Sequence, residues 1–224
     1  MMQKKSSIVA GVAAFAAMSL ASGTALANPD YLSMTPAELA EYLTLGPNGF
    51  DLEQAVQEGG VARARMEQDS LQAACSVMGG GNPDAATLAA ISAEARGTIK
   101  YPEGGIQLGD WQRGRTLAWS GFGYRVAHNP DNHERSQVGG NCYNCHQMAT
   151  DRTGGTLGPS LTGYGKTRGT SDAILTYAYD MIYNPHAYFP CTNMPRMGYV
   201  GVLGEQQMMD ILAYLFDPNS PVNE

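Results

Sequence analysis

Near the end of the chain apolar residues recur at Met208, Ile211, Leu212 and Leu215, the spacing of one buried helical face. They predict a helix over Glu205–Phe216. Ser171 and Asp172 open another helical pattern, which runs to Tyr183 and stops at Asn184-Pro185. A third island spans 110–119 and sets Gly114, Leu117 and Trp119 toward the interior. Between these islands, residues 106–224 are rich in glycine and turns, and Pro218 and Pro221 end the regular structure. No alternating pattern lasts long enough to predict a sheet, and no internal repeat is visible.

The preceding part also reads as helical. Thr35, Pro36 and Glu38 combine an N-cap, a proline at the first helical position and a capping-box glutamate. A second helix is predicted from 51 to about 78, where Gly79-Gly80-Gly81 stops it. A third opens at Asn82-Pro83 and ends near Gly97. Alanine and leucine dominate these helices, so their apolar faces pack on the C-terminal part or on another subunit; periodicity does not choose. The expected fold is all-α, with a helical N-terminal extension over 28–105 and a domain over 106–224.

The first residues change how the cysteines are read. Lys4 and Lys5 precede an uncharged apolar stretch over 8–20, and Ala25-Leu26-Ala27 supplies small residues before polar sequence. This is the pattern of a secretory signal peptide over 1–27, cleaved after Ala27. The run is too short to span a bilayer comfortably, and no later stretch is apolar for long enough. The expected mature chain therefore has no membrane span and lies in the periplasm. A net charge of −7 argues against nucleic acid as a partner.

Export to an oxidising compartment would allow the four cysteines to form two disulfides. Two of them sit in a motif with another use. Cys142-Tyr143-Asn144-Cys145-His146 is a C-x-x-C-H sequence, the attachment signature of c-type haem. Two intervening residues bring both thiols over the two vinyl groups of the macrocycle, and the histidine then offers a nitrogen to iron. A dithiol redox pair would want a strand–helix context, and a zinc site a second ligand pair at finger-like spacing. Neither is present in the pattern, with Cys191 and His186 poor zinc candidates. Gly158-Pro159-Ser160-Leu161 follows the motif. A carbonyl from this turn can accept the free N–H of the His146 ring, and Leu161 can pack on the macrocycle.

A sixth ligand is expected from a loop between the last two helices. Met194-Pro195 lies there, and the proline would stiffen the loop that presents the sulfur; Met197 is the rival. A thioether favours ferrous iron and raises the reduction potential. His128 and His133, in a polar loop, read as solvated, and His186 as capping or packing at a helix end. For Cys75 and Cys191 the leading expectation is a disulfide, with a bridge to a partner subunit or two free buried thiols as alternatives.

Residues 110–119, Cys142 to His146, and 205–215 together resemble the first helix, haem motif and last helix of class I cytochromes c. Within that class, GGNCYNCHQ, GTLGPSLTGYGKTRG and NPHAYFPCTNMPRMG resemble the SoxX family, over about 108–217. SoxX is the small monohaem subunit of the SoxAX cytochrome of thiosulfate oxidation. The resemblance implies one covalent haem c on Cys142 and Cys145, with His146 proximal and Met194 distal. It implies a SoxA-like dihaem or monohaem cytochrome subunit as partner, a SoxYZ-like carrier met indirectly, and a soluble cytochrome as electron acceptor. The complex joins thiosulfate oxidatively to a carrier cysteine, releasing two electrons; this subunit would carry electrons and be non-catalytic. The extension and the long segment between Trp119 and Cys142 depart from the family pattern. The rival readings are a free-standing periplasmic carrier for another respiratory enzyme and a gas-sensing haem protein.

Overall fold

The structure, a computed structural model, describes residues 30–46, 49–56, 60–76, 83–123 and 137–224. The leader expected over 1–27, and His128 and His133, lie outside the described residues. The described chain is all-α: its elements are helices and turns, with one isolated bridge between Ala55 and Val61 and no strand. It divides into two compact units, Met1–Asn48 and Gly49–Glu224, so residues 49–105 share a unit with 106–224.

In the first unit, helix α1 (Pro36–Leu45) starts at the Thr35 cap. The Thr35 hydroxyl accepts the Glu38 N–H at 3.3 Å, and the Thr35 N–H donates to the Glu38 carboxylate at 2.8 Å. These reciprocal bonds satisfy two donors that the helix itself leaves unpaired.

The second unit begins differently from the pattern. The helix expected from 51 to about 78 is instead two short ones, α2 (Arg63–Met66) and α3 (Ser70–Cys75). Two local causes divide it. Gly60 adopts φ +83°, a left-handed turn incompatible with helix. Asp69 then caps a fresh helix through its own capping box with Gln72. Helix α4 (Ala85–Thr98), capped by Asp84, follows.

The main core is built by α5 (Trp111–Trp119), α7 (Asp172–Tyr183) and α8 (Glu205–Phe216), with the short α6 (Tyr164–Arg168) against α8. Met208, Ile211, Leu212 and Leu215 of α8 are all buried, together with Tyr214 and Phe216. The closest helix crossing is α5 on α8 at Gly114. A Cβ there would lie 1.9 Å from the Asp210 carbonyl oxygen and 2.9 Å from the Tyr214 Cβ, so only glycine lets the backbones meet. Asp210, 2 % exposed, closes the crossing. It takes Arg113 at 2.9 and 3.1 Å, the Asp110 N–H at 2.9 Å and Gln206 at 2.9 Å. Burial alone would raise its pKa; these donors outweigh burial and hold it below the usual carboxylate value.

Trp119 is half exposed, not inward as its pattern suggested. The buried face of α5 is Gly114, Leu117 and Ala118, and each further residue turns about 100° around the helix. Its ring packs beside Tyr143 instead, with centroids 5.8 Å apart. Beyond α8 the chain is not irregular either. A 3-10 turn over Pro221–Asn223 returns the Asn223 amide to the carbonyls of Leu215 and Asp217, capping α8. Ser171 holds the N-cap position of α7 without a side-chain cap bond.

A second, smaller core joins α3 and α4 to the turn after α7. Leu71, Ile91, Ala95 and Ala187 are buried together, and the Cys75–Cys191 disulfide lies at its edge.

Candidate functional site

Residues 142–147 form a tight turn held down by the strap that follows. Asn141 adopts the left-handed conformation, φ 48°, which asparagine tolerates better than most residues. A 3-10 turn over Cys142–Asn144 then forms, with the N–H groups of Cys145 and His146 both donating to the Cys142 carbonyl at 3.1 and 2.9 Å. The strap over 154–161 bonds back onto it. Gly155, Gly158 and Leu161 donate their N–H groups to the carbonyls of Tyr143, Cys145 and Gln147 at 2.7, 2.7 and 2.8 Å. Gln147 braces the intervening loop, donating to the carbonyls of Ala149 and Arg152 and accepting the Gly154 N–H.

The strap also fixes the histidine. The Nδ1 atom of His146 lies 2.7 Å from the Pro159 carbonyl oxygen, so Nδ1 carries the proton and donates. In the neutral ring the lone pair then lies on Nε2, where it can serve a metal. A Cβ at Gly158 would sit 2.3 Å from the His146 ring, so the absence of a side chain there is what lets the ring lie against the strap.

Cys142 and Cys145 carry free thiols, while the other two cysteines are bonded to each other. Burial pushes the Cys142 thiol up to about 11, so it is neutral at ordinary pH. Such a thiol lacks the thiolate character of a dithiol redox centre. Among the described residues no three His, Cys, Asp or Glu side chains gather as a metal site. Tyr143, between the cysteines, is buried and anchors the motif to α8. Its hydroxyl lies 2.7 Å from that of Tyr214 and accepts the Ala149 N–H at 3.1 Å. Sequence reasoning passed over Tyr143, because the two middle positions of the motif carry no fixed residue type.

The structure thus brings Cys142, Cys145, His146 and Pro159 together. Leu161 and Cys142 both pack against the main core. Met194 is elsewhere in the contact pattern. It lines an open cavity of about 560 Å³ with Leu71, His186 and the disulfide. Met197, the rival thioether, packs against the main core. His186 is buried and accepts the Cys191 N–H on Nδ1 at 3.0 Å, a packing and turn-holding role. These residues fit a covalently attached haem: two unpaired thiols with two residues between them, and an adjoining imidazole with one nitrogen tethered.

Fold and site together define an all-helical protein that presents a C-x-x-C-H turn with its histidine oriented by the following strap. No family model matches the chain. A protein of Aquifex aeolicus (strain VF5), named an uncharacterized lipoprotein, is 38% identical to it over 164 residues, covering 72% of this chain and 76% of that protein. The chain belongs to the same family as that lipoprotein.

Proposed function

We propose that this protein is an exported monohaem c-type cytochrome, with a class I cytochrome c fold in its C-terminal part. The observation that carries the reading is the tethered imidazole. The Pro159 carbonyl holds His146 Nδ1 at 2.7 Å, directly after two unpaired thiols. Cys142 and Cys145 would hold haem by two thioether bonds, and His146 Nε2 would be the proximal iron ligand. When bound, the haem would supply reversible one-electron chemistry. The protein's part is to fix the imidazole, and a carbonyl on the far nitrogen raises its basicity. Met194 is the proposed distal ligand, because Pro195 beside it would stiffen the loop that presents the sulfur, while Met197 packs against the main core. Export is supported by the leader-like first 27 residues and by the name lipoprotein borne by the Aquifex aeolicus relative. Among the described residues no helix is long and apolar enough to cross a membrane.

We assign the cytochrome to the SoxX family, as the electron-transfer subunit of a SoxAX-type complex that conjugates thiosulfate to a carrier cysteine. The support is the likeness of GTLGPSLTGYGKTRG and NPHAYFPCTNMPRMG, which hold the Pro159 carbonyl and Met194. The test is a pull-down from cells grown on thiosulfate, with haem-stained gel and intact mass. One haem on the chain and a co-purifying SoxA-like cytochrome are expected. A haem-bearing chain that purifies alone with full redox activity would favour a free-standing carrier, and a chain without haem would overturn the whole reading.

A further inference from the structure

The loop over 191–196, which carries Met194, is fastened at both ends to the two ends of a single short helix. At one end Cys191 is disulfide-bonded to Cys75, the last residue of α3. At the other, the Arg196 guanidinium donates to the Asp69 carboxylate at 2.7 Å, and Asp69 is the N-cap of that same helix. Helix and loop therefore run side by side, in opposite directions.

The two lengths do not match, and the mismatch shapes the loop. From 69 to 75 a helix rises about 9 Å. From 191 to 196 an extended chain would reach about 17 Å. A fully extended loop would overshoot α3, and this loop is not extended. Cys191 takes φ 61°, Thr192 donates its N–H to the Phe189 carbonyl, and Met194 donates its N–H to the Thr192 hydroxyl at 3.3 Å. Between its two ties α3 is immobilised through Leu71, buried against Ile91 and Ala95 of α4. The Arg196 side chain is 9 % exposed and that of Asp69 38 %, so the pair is buried on the arginine side, and its rupture would leave the guanidinium without its carboxylate. Helix and loop form facing walls of the cavity that Met194 lines, so a shift of the loop changes where the thioether stands.

We propose that α3 is a splint that fixes the Met194 thioether, with Cys75–Cys191 and Asp69–Arg196 as positioning residues for the distal haem ligand. The inference rests on the haem reading above. It also gives residues 69–75 a role that their place in an N-terminal extension does not suggest.

The experiment compares four forms of the full-length, haem-loaded protein: wild type, Cys75→Ser/Cys191→Ser, Asp69→Asn and the conservative Asp69→Glu. Intact mass reports haem, and the sulfur-to-iron charge-transfer band reports Met ligation. Carbon monoxide binding by the ferrous form reports an opened distal site, and amide hydrogen exchange over 189–198 reports the loop. Wild type is expected to keep the band. Asp69→Asn and the double variant should keep haem yet lose the band and bind carbon monoxide, with loop exchange about tenfold faster or more. Asp69→Glu should restore wild-type behaviour at least in part. If either splint variant keeps both the band and slow loop exchange, the splint is overturned and the haem reading stands. A wild-type chain with no haem overturns both, and a haem-loaded wild type without the band refutes Met194 ligation and hence the splint's role.

Discussion

Two helical glycines should respond to the same substitution with opposite signs. On propensity alone, glycine to alanine within a helix is stabilising by up to about 1 kcal/mol, because the unfolded chain loses freedom it would otherwise forfeit on folding. Gly97, in the last turn of α4, has nothing within 4 Å of where a Cβ would stand. Gly97→Ala should therefore gain about 0.5–1 kcal/mol. Gly114 is different. The new methyl would meet the Asp210 carbonyl oxygen at 1.9 Å and its carbon at 2.5 Å, both backbone atoms with no rotamer to escape into. Helices α5 and α8 would have to separate, in an interior packed too tightly to absorb the shift. Overpacking costs about 1–3 kcal/mol, and the rigid partner puts this site at the upper end even after the propensity gain. For a unit of this size, 1 kcal/mol moves Tm by about 2–4 °C. Gly114→Ala should thus lower Tm by about 5–10 °C and Gly97→Ala raise it by about 1–4 °C. Thermal melts by far-ultraviolet circular dichroism measure both. A Gly114→Ala protein as stable as the parent would refute the close crossing, since propensity could then account for both sites.

Four further outcomes follow. The Cys75–Cys191 bridge closes 116 residues of chain, and on the chain-entropy account the double serine variant loses about 4–5 kcal/mol, readable as a Tm at least about 8 °C lower; an unchanged melt would mean the bridge contributes nothing. Gly158→Ala should push the His146 ring off the Pro159 carbonyl; on the proposed haem reading, the variant's absorption spectrum should then be altered, and an unaltered one would contradict the cradle. Burial holds the Asp180 carboxyl above its usual range, only partly offset by the Tyr188 and Tyr101 hydroxyls. Its ionised form then costs stability above the folded pKa, so Asp180→Asn should raise Tm at pH 7 and gain less as pH falls toward 3.8; equal gains at both pH values would count against this. Burial, and then the nearby Arg196, lower the His186 pKa below 6.5. The unfolded chain takes up that proton first, so stability present above 6.5 should fall as pH drops below it, and His186→Gln should flatten this slope in urea titrations.

Helix α8 was legible because its four apolar positions repeat at one spacing and all of them are buried. Helices α1 and α4 were legible from caps and prolines, which act through neighbours in sequence, and the end of α7 from Asn184-Pro185. The helix expected from 51 to about 78 failed for an equally local reason. Asp69-Ser70-Leu71-Gln72 spells a capping box, a start signal inside what alanine-rich composition made look continuous. Trp119 was misplaced because it was grouped with Gly114 and Leu117 on one face, whereas helical phase turns it outward and puts Ala118 there instead. At the candidate site, cysteine and histidine spacing pointed to the motif, and the glycine-proline turn to a carbonyl for His146. The Cys75–Cys191 bridge was legible as the pair of cysteines left over by the motif, but no pattern could supply the ion pair that matches it. Asp69 and Arg196 lie 127 residues apart, and nothing near either one names the other. Only the fold brings the two ends of α3 to the two ends of the Met194 loop.

The cysteine arrangement has a consequence for how the chain is made. Four cysteines can pair in three ways, and here one pair is enclosed within the other along the sequence. Synthesis runs from the N-terminus, so Cys75 emerges first and its native partner, Cys191, last. In between, Cys142 and Cys145 pass by as thiols that must remain unbridged. A maturation route that oxidised cysteines in order of appearance would give the wrong molecule. The chain therefore requires that Cys75 be kept waiting, or its early bridges undone, until the final quarter has been delivered.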